Sequence, residues 1–143
     1  MRYGVWAGLV LAAGTGQAQE LLPWQDAEAV ARGAEIYAET CAACHGIDLE
    51  GQVADWRSRG PDGLLPAPPH DETGHTWHHA DAVLFQITKY GTEALVGGDY
   101  RSNMIGFGDV LSDAEILAVL GYIKSTWPPQ VIAAHDRVNA AAR

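Results

Sequence analysis

Cys41-Ala-Ala-Cys44-His45 is the segment that most narrows what this chain can become. These are its only two cysteines, so at most one disulfide or one small metal or cofactor attachment is available. A disulfide is geometrically poor across a single helical turn. A thioredoxin-like redox pair needs a βαβ setting, which no strand-like alternation provides, and it gives His45 no role. A zinc site could recruit His75 and His79, but they lie far beyond the usual finger spacing. Covalent haem attachment uses all three residues. Two thiols one helical turn apart can add to the two vinyl groups on one edge of a porphyrin. The adjacent His45 is then carried under the iron as proximal ligand. Both thiols are consumed, so helices and cofactor must hold the fold.

Three helices are expected around this segment. The first runs from Asp26, a good N-cap, to the cysteines. Val30, Ala34, Tyr37, Cys41 and Cys44 share one face of it, which would turn both cysteines to the buried side. The second covers residues 79–90, with Val83, Leu84 and Ile87 on one face and Gly91 as its stop. The third opens on Ser112-Asp113-Ala114-Glu115, a capping box. It continues through Ile116, Leu120, Ile123 and Trp127 until Pro128-Pro129 ends it. Residues 46–77, rich in Gly and Pro, form a loop long enough to need a purpose, and wrapping a large cofactor supplies one. The Ala-rich residues 131–143 read as a short surface helix or a frayed end.

The N-terminus has the order of a secretory signal. Arg2 precedes an apolar run over residues 5–13, and the small residues Gly14, Gly16 and Ala18 follow. The run is about half the ~20 residues a membrane span needs. Residues 1–18 are therefore expected to be cut away, leaving 19–143 as one monohaem domain with a core over about 26–127 and an extension over 128–143. That product would lie in the periplasm. Nine basic against 18 acidic side chains give a net charge of −9, and loss of Arg2 takes it to −10. Only two lysines occur, Lys89 and Lys124, so nucleic acid is not an expected partner. A periplasmic or membrane-bound redox protein with a basic docking face is.

A sixth ligand is needed opposite His45. Met104 is the single methionine left after the leader and stands in a Gly-rich stretch over residues 97–108. A thioether there raises the reduction potential, as suits an electron carrier. The competing ligands are His70, His75, His78, His79 and His135. His75, His78 and His79 fall at i, i+3 and i+4, a spacing that could also gather copper or zinc on one helix face.

The motif with Gly33, Tyr37 and Gly46, then Met104-Ile-Gly-Phe107, Leu111-Ser-Asp-Ala-Glu115-Ile and Tyr122-Ile-Lys-Ser-Thr-Trp127, resembles the class I monohaem cytochromes c of bacteria. The resemblance covers about residues 26–127. It implies an all-α fold, three main helices and long loops around one covalent haem c, with the first and last helices crossing closely. Gly33 would permit that approach, and Tyr37 and Tyr122 would pack at the crossing. A proline carbonyl would accept the hydrogen bond from the unligated nitrogen of His45, and Gly60-Pro61 or Pro66-Ala-Pro68 could supply it. The proline usual after the ligand methionine is here Ile105. Trp56, Arg57, Arg59 and Trp77 are candidate donors to the haem propionates. Ile105, Phe107, Trp77, Leu84 and Leu95 are candidate pocket walls.

The function this implies is single-electron transfer, with Cys41 and Cys44 as attachment points and His45 and Met104 as axial ligands. Both axial positions would be filled, so a carrier rather than an enzyme is expected. The rival readings are a haem subunit of a periplasmic oxidoreductase, a sensor in which Met104 yields to a small ligand, and copper handling through the histidine cluster. One haem motif excludes a dihaem peroxidase.

Overall fold

The computed structural model describes residues 21–143, and the expected leader over residues 1–18 lies outside them. Six α-helices occur among the described residues, and no strand longer than an isolated bridge. The expected all-α class is therefore the observed one. Helix α1, Ala27–Ile36, starts at Asp26, whose carboxylate accepts from the backbone N–H groups of Glu28 and Ala29 at 3.0 and 3.1 Å.

Past Ile36 the helix widens into a π-turn, Tyr37–Cys41, before tightening into the short α2, Ala42–His45. The π-turn changes the helical phase, and that corrects the expected face. Gly33, Ile36 and Tyr37 form the buried stripe. Val30, Ala34 and Cys41 are half-buried and Cys44 is exposed. Gly46, at φ 82°, stops α2 where a side chain would be strained.

Helix α5, Asp113–Ser125, carries the reciprocal capping box between Ser112 and Glu115. It crosses α1 at Gly33. A Cβ on Gly33 would stand 2.7 Å from the Ala118 carbonyl carbon and 2.9 Å from Tyr122 Cβ, so only glycine allows this approach. Tyr37 and Tyr122 pack beside the crossing with ring centroids 5.5 Å apart. Arg32 bridges the two helices outside, its Nη2 2.8 Å from Glu115 Oε1. Ile116, Leu120, Ile123 and Trp127 are buried as their spacing predicts, together with Leu22, Ile36, Leu49, Leu84 and Val119. The helix ends at Ser125, two residues earlier than the expected helix through Trp127.

Helix α3, Asp81–Tyr90, begins two residues later than 79, because His79 and Ala80 are extended after a 3-10 turn, Thr76–His78. It buries Leu84 and Thr88, while Val83 faces outward, contrary to the expected grouping. Gly91, at φ 84°, stops it as expected, and the short α4, Thr92–Val96, follows.

The chain's end is more than a frayed or surface helix. Helix α6, Pro129–Ala141, places Pro129 in its first turn, where the missing N–H costs nothing. Its Asn139 side chain accepts from the Asp81 backbone N–H at 2.8 Å and donates to the Asp81 carboxylate at 3.0 Å. This serves the α3 N-terminus, whose N-cap is Ala80 and has no capping side chain. His135 is fully buried, with Nε2 donating to the His79 carbonyl at 3.0 Å and lying 3.3 Å from Asp81 Oδ1. Lys124 of α5 meets Asp136 at 2.7 Å.

Candidate haem-binding site

The widened turn and α2 set Cys41, Cys44 and His45 on consecutive turns of one helical segment. Tyr37, buried under it, donates its hydroxyl to the Gly46 carbonyl at 2.9 Å and so fastens the segment's end. Burial, and then neighbouring Cys44, pushes the Cys41 thiol up to about 11, so it rests protonated. His45 is buried, and its Nδ1 lies 2.8 Å from the Pro68 carbonyl oxygen. A carbonyl can only accept, so Nδ1 carries the proton and Nε2 keeps the lone pair. Burial lowers the pKa of His45 against the opposing pull of that hydrogen bond, which favours the neutral ring a metal needs.

Pro68 is thus the carbonyl supplier. Gly60-Pro61 builds a surface turn instead, with the Gly60 N–H donating to Leu64 at 2.8 Å. The loop over residues 46–75 brings Pro68 back beneath the motif through a few backbone bonds. The Gly51 N–H donates to His45 at 2.7 Å, Gln52 to Ala67 at 2.9 Å, and His70 to Leu49 at 2.8 Å. Leu49 adopts φ 66°, and Gly74 turns against Pro69 where a Cβ would meet that residue's carbonyl carbon at 2.7 Å.

Met104 stands half-buried on a strap crossing the C-terminal end of α3. The strap's N–H groups satisfy the last helical carbonyls. Phe107 donates to Thr88 at 2.9 Å and Gly108 to Lys89 at 3.0 Å. Gly106 lets the backbones touch, since a Cβ there would stand 2.6 Å from the Tyr90 carbonyl carbon. The Met104 carbonyl accepts from the Thr92 N–H at 3.2 Å, and its own N–H donates to Ser102 Oγ at 3.0 Å.

The remaining histidines divide. His70 stacks on His45, with ring centroids 4.0 Å apart and planes 23° apart. A ring on that side of His45 is not placed to ligate from the opposite face. His75 packs against Trp56 and His79, and His78 is exposed and stacked on Trp77. The expected common helix face does not form, because residues 76–78 make a 3-10 turn and His79 is extended. Among the described residues, no group of three or more His, Cys, Asp or Glu side chains is placed to hold a metal ion, so the structure gives the copper reading no site. His135 is committed to α6 docking.

Of the candidate propionate donors, Trp56 is buried with Arg57 over its ring at 4.0 Å. Arg59 donates to the Gly63 carbonyl at 2.7 Å and Trp77 to the Glu72 carbonyl at 3.3 Å. Of the candidate walls, Leu84 is buried and Trp77 and Phe107 are half-buried. Leu95 and Ile105 are exposed in the chain, Ile105 by 66 %. His70, one of the five competing ligands named from the sequence, lies stacked on His45 instead. Its position directly after Pro68-Pro69 was the available signal.

The donor set fits a covalent haem: two thiols one turn apart, and a neutral imidazole oriented through one nitrogen with the other left for iron. The sequence profile of the family described as cytochrome c matches residues 30–127.

The chain belongs to the cytochrome c family.

Haem c is that family's covalent cofactor, and Cys41, Cys44 and His45 form its Cys-x-x-Cys-His attachment motif. The chain is accordingly a haem electron-transfer protein. Three curated relatives are similar over part of their length. A nitrite reductase of Stutzerimonas stutzeri is 32 % identical over 128 residues, which cover 86 % of this chain and 20 % of that protein. The cbb3-type cytochrome c oxidase subunit FixP of Azorhizobium caulinodans is 30 % identical, covering 66 % and 28 %. A thiosulfate dehydrogenase of Stutzerimonas stutzeri is 30 % identical, covering 71 % and 28 %. The chain thus spans less than a third of the length of these relatives. No solved structure matches it significantly. No described helix is long and apolar enough to cross a membrane.

Proposed function

We propose that this protein is an exported, periplasmic carrier that passes single electrons between redox partners, with His45 and Met104 as the axial ligands of its haem. The observation that carries the reading is the His45–Pro68 hydrogen bond, which engages Nδ1 and leaves Nε2 as the one nitrogen free to ligate. Bound haem supplies a ferrous–ferric couple. His45 would bind through Nε2, its ring pinned at Nδ1 by the Pro68 carbonyl. Met104, on a strap secured to α3 and α4, would supply the second ligand, and a thioether there would favour the reduced state. With both positions filled there would be no open coordination site for a substrate. Cys41 and Cys44 would keep the group covalently attached in both oxidation states.

The net charge of −9 favours a partner with a basic docking face. Electron transfer to such a partner slows as ionic strength rises, and a rate indifferent to salt would remove the steering argument. A second reading is supported by the relatives' coverage. A domain matching a fraction of a nitrite reductase, an oxidase subunit and a thiosulfate dehydrogenase suits a haem module delivering electrons to an enzyme complex. Co-purification of the full chain with an oxidoreductase favours that reading over the diffusing carrier.

An optically monitored redox titration tests the ligation. The loaded protein should give a low-spin ferric spectrum with a methionine–iron charge-transfer band and a positive midpoint. Met104→Ala should abolish that band and lower the midpoint. A band and midpoint unchanged in Met104→Ala would refute Met104 as ligand, and a high-spin wild-type spectrum would favour the sensor.

A further inference from the structure

His45 is held at one edge by Pro68, but one hydrogen bond fixes a point and not a plane. The torsion between a histidine's Cβ and its ring is broad, so a ring pinned at Nδ1 alone can still rock. In this chain the rocking is blocked by a second imidazole. His70 covers one face of His45 at a centroid distance of 4.0 Å, in a near-parallel stack tilted by 23°.

His70 is itself clamped from three directions. Its backbone N–H donates to the Leu49 carbonyl at 2.8 Å, in the loop just after the motif. Its Nδ1 shares a 2.7 Å hydrogen bond with Thr76 Oγ1, in the 3-10 turn. Its carbonyl accepts from Trp127 Nε1 at 2.7 Å, just past the end of α5. Tyr37 closes the remaining side edge-on, at 6.2 Å and 73°. A surface or space-filling histidine needs no such set of anchors.

We propose that His70 is a positioning residue that fixes the plane of the His45 imidazole, and that Trp127 holds His70 in register for this role. The inference rests on His45 being an axial ligand. The plane of an axial imidazole decides which π-symmetry d orbitals of the iron it overlaps. A neighbour that sets the plane therefore tunes the metal without touching it. The flat face performs the task, so another flat ring of similar width replaces it and a methyl group does not.

The test uses the full chain, matured with haem, in wild-type, His70→Phe, His70→Ala and Trp127→Phe forms, each read by ferric electron paramagnetic resonance. Haem content and thermal unfolding are measured alongside. His70→Phe should keep the wild-type principal g values and line widths. His70→Ala should shift the largest g value and broaden it, and Trp127→Phe should shift it in the same direction by less. Wild-type g values and widths in His70→Ala would overturn the proposal. So would a shift in His70→Phe as large as that in His70→Ala, because the Thr76 hydrogen bond rather than the stack would then matter. If His70→Ala fails to take up haem, His70→Phe decides alone, through wild-type values in favour or shifted values against. Pulsed measurement of imidazole nitrogen coupling in the wild type separates the two levels. Its absence would remove the axial assignment and the proposal with it. Its presence alongside an unresponsive His70→Ala would remove only the positioning role.

Discussion

Gly33→Ala should destabilise the fold, and its size can be worked from the α1–α5 crossing. Both α1 and the wild-type residue are helical in conformation, so the exchange alone gains about 1 kcal/mol of helix propensity. Against this, the new Cβ would meet the Ala118 carbonyl and Tyr122 Cβ, with the Ala118 carbonyl carbon at 2.7 Å. The obstacle is backbone inside α5, which cannot swing aside as a side-chain tip would. Overpacking of this kind costs of order 1–3 kcal/mol, and a rigid obstacle puts it near the top. The net loss is about 2 kcal/mol, a fall in Tm of roughly 8 °C for a domain of this size. Gly121→Ala is the matched control. It sits in α5, and its Cβ would meet Pro23, ahead of α1, at 3.2 Å from Cδ and 3.3 Å from the carbonyl carbon, so a shift of a few tenths of an ångström relieves it. That change should be neutral or gain up to about 1 kcal/mol. Urea unfolding of the haem-loaded proteins measures both. A Gly33→Ala protein as stable as wild type would refute the close crossing.

Ser112→Ala removes the acceptor for the Glu115 N–H at the start of α5 and should cost about 1 kcal/mol, read as a shifted urea midpoint with unchanged slope. Asp136→Ala takes a carboxylate from 2.7 Å beside the buried Lys124 ammonium. Since Asp136 itself is 42 % exposed, a loss of about 2 kcal/mol is expected, less than for a fully buried pair. Lys124→Met in that background should recover part of the loss. Burial, and then Lys124, holds the pKa of His135 below its ordinary 6.5, so the unfolded chain protonates there at higher pH than the fold. Stability should fall as pH drops from 6.5 toward the depressed value, and His135→Leu should flatten that slope. Equal slopes would show that His135 is not the group responsible.

The parts of the fold legible in the sequence were those fixed by local chemistry. Asp26 and the Ser112–Glu115 box announce helix starts because their side chains serve orphan N–H groups within three residues. Gly91 announces a stop because it takes φ 84° without strain. The motif at residues 41–45 is legible because haem attachment demands that spacing. Less visible were features set by distant contacts. The π-turn over Tyr37–Cys41 shifts the phase of the first helix, and no periodicity within the segment reports it. The 3-10 turn at Thr76–His78 breaks an i, i+3, i+4 histidine pattern that looked like one face. Helix α6 looked like a tail because it has few apolar anchors. Its docking depends on His135 and Asn139 meeting Asp81 and His79, more than fifty residues away in sequence.

The same distant contacts link the extension to the haem-binding segment. His135 of α6 lies edge-on to Trp127, at 5.1 Å and 86°. The Trp127 indole N–H is bonded to the His70 carbonyl, and His70 lies flat on His45. Each link joins a different part of the chain: the middle of α6, the segment after α5, the long loop, and the motif itself. A loop of some thirty residues would ordinarily be the least stable part of a small domain. Here its far end is bonded at His70 to Trp127, between the two last helices, and two residues before it the Pro68 carbonyl lies against His45. The long loop therefore does not need secondary structure of its own to place a hydrogen-bond acceptor within 2.8 Å of one ring nitrogen. It needs anchors on elements that are already rigid, and α5, packed across α1 at Gly33, is the most deeply buried of these.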